Sequence, residues 1–112
     1  MSFEDQIAEI QRFFPLVEIA LLKEGGCRFL RLSSFFPDPE NSDSRLDCLF
    51  ACDPHLGYDS RIWFPKALAT SVPRNWNHKN TYILGQKWCA FSFKAKGKSL
   101  LEKLLSHIGG AK

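Results

Sequence analysis

Cys89 is the residue best placed by its neighbours to do chemistry. A thiol becomes the strongest side-chain nucleophile near neutral pH once ionised, and Lys87, two positions away, favours the thiolate. It sits in the stretch NWNHKNTYILGQKWCAFSF, Asn75 to Phe93, where Asn75, Asn77, Asn80 and Gly85 give the composition of loops that carry function. The opposed reading is a small apolar side chain on a strand between Trp88 and Phe91.

Other constellations read more simply as structure. Cys48, Cys52 and His55 form C-x3-C-x2-H, and His78 or Cys89 would complete four ligands on paper. On one strand, however, the two cysteines lie about 13 Å apart, too far to share a zinc with bonds of about 2.3 Å. They read as core filler, and no metal or cofactor is expected. Trp63, Trp76, Trp88 and Tyr82 could stack bases, but stacking platforms come with a basic groove, and these rings lie among prolines, asparagines and aliphatics. Lys94, Lys96 and Lys98 form the one basic cluster. It reads as a solvated loop, with a phosphate or partner-docking patch as the alternative. The pair Gly109-Gly110 resembles the tail of a ubiquitin-like modifier, but after a leucine-rich helix it reads as a C-cap.

Bulk properties narrow the class. A chain of 112 residues is expected to form one domain, 1–112, with a core large enough to need neither disulfide nor metal. Ten phenylalanines and three tryptophans make that core aromatic. The formal net charge of +3 is mild and the charges are interspersed, so no nucleic-acid partner is expected. The start, MSFEDQIAEIQRFF, has acidic residues where a secretory signal has basic ones, and no apolar run reaches the roughly 18 to 20 residues that span a bilayer. A soluble, cytoplasmic protein with no membrane partner follows as the expectation, with Cys27, Cys48, Cys52 and Cys89 as reduced thiols.

Periodicity then supplies the elements that would position Cys89. Phe3, Ile7, Ile10 and Phe14 make one helical stripe, capped by Ser2 with Asp5 and stopped at Pro15. Val17 to Lys23 reads as a strand that turns at Gly25-Gly26 into a second, Cys27 to Phe36. The loop PDPENSDS leads to a third, Arg45 to Cys52, with Leu46, Cys48, Phe50 and Cys52 on one face and Leu49 and Ala51 on the other. RIWF, cut off by Pro65, allows only a brief or edge strand. The quoted stretch reads as irregular until QKWCAFSF. A final helix places Leu100, Leu101, Leu104, Leu105 and Ile108 on one side, with Ser99 as cap and Gly109 as stop. The class is α+β, an antiparallel meander of three or four strands between terminal helices.

That order, with HLGYDSRIWFP, then His78-Lys79-Asn80, Gly85, Cys89 and a terminal helix, resembles the ubiquitin-conjugating (E2) fold and its UBC/RWD-like relatives. In that family a His-Pro-Asn tripeptide precedes the catalytic cysteine by about eight residues. Here Lys79 stands at the proline position and Cys89 follows Asn80 by nine. Gly85, Trp88, Phe91 and Ser92 are similar to a pattern of divergent E2-like proteins from bacterial operons that also encode an E1-like adenylating enzyme and a JAB-type peptidase. The resemblance implies a carrier of a ubiquitin-like modifier, in a conjugation system of a kind several of whose members serve antiphage defence. Cys89 would take the modifier's C-terminal acyl group from the E1 as a thioester and pass it to an amine or thiol. Asn80 would donate its amide to the oxyanion or hold the loop that does so, and His78 would organise the loop. Trp88 and Phe91 would anchor the segment. The same resemblance leaves open a non-catalytic adaptor that binds the modifier or E1, and the residues alone leave open an unrelated small interaction domain.

Overall fold

The computed structural model describes all 112 residues. It runs α1 (Phe3–Phe13), β1 (Glu18–Glu24), β2 (Cys27–Pro37), β3 (Arg45–Ala51), β4 (Arg61–Trp63), β5 (His78–Ile83), β6 (Gln86–Ala90) and α2 (Leu100–Ala111). The class is α+β. The first four strands form one antiparallel sheet in sequence order, and β5 and β6 form a separate antiparallel hairpin.

Both helices begin where their capping residues require. The Asp5 N–H donates to Ser2 Oγ at 3.1 Å while the Ser2 N–H donates back to Asp5 Oδ2 at 3.2 Å. Ser99 and Glu102 repeat the exchange at α2. The tight β1–β2 turn is glycine because both of its positions, Gly25 and Gly26, have positive φ, 58° and 80°.

Strand alternation sorts the core into two layers. Leu30, Leu32, Cys48, Phe50 and Ile62 face the helices, meeting Ile10, Leu100 and Leu104. Phe29, Leu49, Ala51 and Trp63 face the other way, meeting Ile83, Trp88 and Ala90 of the hairpin. Backbone-to-backbone bonding ties the hairpin to the sheet where Phe64 and Cys89 exchange hydrogen bonds of 2.8 and 2.7 Å, and the Leu84 N–H of its turn donates to Glu24 Oε2 of β1 at 2.7 Å. Strand β4 is both brief and at the sheet's edge.

Two features differ from the sequence reading. The segment from His78 to Ile83 is a strand, turning through Leu84-Gly85, both at positive φ. Its alternation is hidden by a bulge, since His78 pairs with Ala90 and Thr81 with Trp88, leaving Lys79 and Asn80 opposite Cys89. The second difference is α2, which runs through Gly109 and Gly110 to Ala111. Its carbonyls find partners in another segment, because Arg74 Nε donates to Gly110 O at 2.9 Å and Ser71 Oγ to Lys112 O at 2.7 Å, so no glycine cap is needed. The buried face is Leu100, Leu104, His107 and Ala111, while Leu105 is exposed.

The two glycines should respond oppositely to alanine. A Cβ on Gly109 meets nothing within 4 Å, so Gly109→Ala should stabilise by about 0.5–1 kcal/mol through helix propensity. A Cβ on Gly110 would lie 2.7 Å from Phe93 Cε1, so Gly110→Ala should cost about 1–3 kcal/mol through overpacking. Urea denaturation of the two variants checks both signs.

Candidate functional site

The hairpin brings the predicted site residues onto paired strands, with Cys89 buried between them. The two-for-one bulge sets His78-Lys79-Asn80 across from it. Cys89 is only 5% exposed, and its thiol donates to the Lys79 carbonyl at 3.2 Å. A carbonyl partner favours the protonated thiol over the thiolate. Burial pushes the thiol's pKa up, and the nearby Lys87 and Lys79 ammonium groups oppose the shift without reversing it. Asn80 is exposed on the bulge. His78 packs its ring 5.6 Å from that of Trp63 and shares a 3.3 Å hydrogen bond with Thr81 Oγ1. Burial, then the Arg61 charge, lower its pKa, so it is neutral at pH 7. Trp88 and Phe91 are buried at 1% and 3% exposure. Two surface cavities exist, and neither is lined by Cys89, Asn80 or His78.

The other cysteines are core thiols. Cys48 is fully buried, and its thiol is pushed far up by that burial. Burial also carries Cys52 up to about 12. Trp63 and Trp88 line the layer between sheet and hairpin, so their rings are not presented for stacking.

A polar centre that periodicity does not reveal lies at β4. Arg61 shares the inward face with Trp63, two residues on, and is 1% exposed. Its guanidinium donates to Asn77 Oδ1 and, at 3.2 Å, to the Phe91 carbonyl. It stacks 4.1 Å over the Tyr58 ring and 5.2 Å from Trp63. No carboxylate lies within 4 Å, since the chain's ion pairs are Arg28–Asp53, Arg31–Asp47 and Lys66 with Asp38 and Glu40. Nε and Nη1 have no hydrogen-bond partner. Such a charge is costly to bury, and its field falls on its neighbours. After burial itself, Arg61 is the next cause lowering His55, His78 and His107. Next to it, Ser60 Oγ and His107 Nε2 share a buried hydrogen bond of 2.9 Å that ties β4 to α2. His107 was legible in principle, because Leu100, Leu104, His107 and Ala111 follow the four-three-four spacing of a buried stripe.

The larger cavity, about 490 Å³, opens beside this centre between Gly57–Ser60, Phe93–Ala95, Gly97 and Lys103. The smaller, about 220 Å³, is apolar and lies where α1, β2 and α2 meet. Comparisons with protein-family models, with curated proteins and with solved structures return no match.

Proposed function

We propose that the chain is an E2-like adaptor: a domain that binds a ubiquitin-like modifier or its E1-like adenylating enzyme without itself carrying the acyl group. One observation carries the choice of adaptor over carrier. The thiol in the carrier position is buried, protonated and occupied by the Lys79 carbonyl. The E2-like part rests on the order of helix, antiparallel meander and terminal helix together with the His78-to-Ser92 pattern. The central strands β2 and β3 are covered on both faces, by the helices on one side and the hairpin on the other, so a partner must use an edge or a helix. Exposed Phe13 (55%), Leu16 (98%) and Leu21 (53%) on and beside α1 and the edge strand β1 favour that side.

A carrier role through Cys89 is the second reading. It is favoured by the placement of the tripeptide across from Cys89 and by the ammonium groups of Lys79 and Lys87. It would require the bulge to open and release the thiol, which would then attack the E1-bound thioester, the E1 cysteine leaving as thiolate.

One experiment separates them. The chain is mixed with any E1-like enzyme and ubiquitin-like modifier encoded by its genomic neighbours, with ATP, and both complex and covalent adduct are followed. The adaptor reading expects a complex weakened at least about ten-fold by Leu16→Asp with Phe13→Asp, and no adduct. A reductant-sensitive adduct lost in Cys89→Ala establishes the carrier, and neither complex nor adduct removes both.

A further inference from the structure

We propose that the cavity of about 490 Å³ beside Ser60 binds a small organic oxyanion, a carboxylate or phosphate ester, through Lys94, Lys103 and the Ser60 hydroxyl. The proposal does not depend on the adaptor reading.

The volume falls within the ~300–1,000 Å³ of small-molecule sites. Two lysines from separate parts of the chain, Lys94 and Lys103, line it, and neither forms an ion pair within the chain. Asp59 is the single carboxylate on the wall, so the lining carries a net positive charge. Behind the Tyr58 ring, which forms part of the wall, lies Arg61, fully buried and lacking any carboxylate within 4 Å. The cavity is therefore where a region of net positive charge reaches solvent, and a concave low-dielectric wall focuses that field.

The hydroxyl is prepared for the same task. Ser60 is 5% exposed and held by His107 Nε2 at 2.9 Å. Burial carries His107 down to about 4, so it is neutral at pH 7. In the tautomer that carries its hydrogen on Nε2, His107 donates to Ser60 Oγ and the serine hydrogen is left to donate into the cavity. The rings of Tyr58 and Phe93 supply an apolar wall for the body that carries the anion.

The test is an amide-resolved NMR titration of the 15N-labelled chain alone at constant ionic strength. AMP serves as the phosphate source and N-acetylphenylalanine as the carboxylate source. Adenosine and N-acetylphenylalanine amide are the uncharged controls. At least one anion should shift amides in Gly57–Ser60 and Ala95–Gly97 to saturation, its control should not, and the responding probe identifies the head group. Lys94→Gln with Lys103→Gln should weaken binding at least about ten-fold, while Lys79→Gln with Lys87→Gln on the hairpin should leave it unchanged. The inference is overturned if neither anion saturates, if the neutral controls bind equally well, or if the Lys94/Lys103 variant, folded by the same spectra, binds like the parent.

Discussion

Acidification from pH 7 to pH 4 is expected to remove about 3 kcal/mol of folding stability through His107 alone. Its pKa falls from 6.5 to about 4 in the folded chain, first because it is buried and then because Arg61 is near. Between those values the unfolded chain takes up a proton that the folded chain refuses, so stability is complete above about pH 6.5 and drains as pH drops toward about 4. The shift of about 2.5 units, at about 1.4 kcal/mol each, sets the size. His55 and His78 are lowered in the same direction and add to the loss. The salt-bridged carboxylates Asp38, Asp47 and Asp53 sit below their ordinary value, so their contribution is lost only further into acid. His107→Gln keeps a hydrogen-bonding group near Ser60 and cannot take up the proton. Urea denaturation across this range should show a markedly flatter profile for that variant. An unchanged slope, or a normal imidazole titration of His107 by NMR, would remove buried His107 from the account.

Trp88→Ala should cost about 3–5 kcal/mol. The ring is 1% exposed and fills the layer between sheet and hairpin with Phe29, Leu49, Ala51, Trp63 and Ile83. Because backbone-to-backbone hydrogen bonds join the hairpin to the sheet only between Phe64 and Cys89, loss of the ring should loosen β5 and β6 before the four-stranded sheet. Hydrogen exchange would register this as lost protection confined to those strands. The Trp88 Nε1–H is buried without a partner, a burden of about 1–3 kcal/mol. Trp88→Phe discards that donor together with part of the ring, so it should cost far less than alanine.

The places where the sequence misled have local physical causes. The alternation of Leu46, Cys48 and Phe50 against Leu49 and Ala51 named both core layers, because a strand covered on two sides still sorts its side chains by period two. Ser2 with Asp5, and Ser99 alone, marked the two helix starts. The β5 strand escaped notice because its bulge at Lys79 and Asn80 interrupts the period. Its turn also puts Leu84, in place of the usual asparagine, at positive φ. Gly109-Gly110 read as a stop because propensity is local, whereas Ser71 and Arg74, which hold the helix end, come from a distant segment. Arg61 was hidden for the same reason. A charged residue at the head of RIWF looks like a strand's wet end, and only the tertiary arrangement of Tyr58, Asn77 and Phe91 buries it.

The adaptor reading stands or falls on the state of the Cys89 sulfur, and peptide-resolved alkylation of the native chain reads it directly. Iodoacetamide at neutral pH should modify Cys89 at least about 100-fold more slowly than in the urea-unfolded chain, because reaction must wait for the hairpin to open. Modification of native Cys89 at the unfolded rate, or faster, would mean an accessible thiolate opposite the His78-Lys79-Asn80 bulge and would restore the carrier in place of the adaptor.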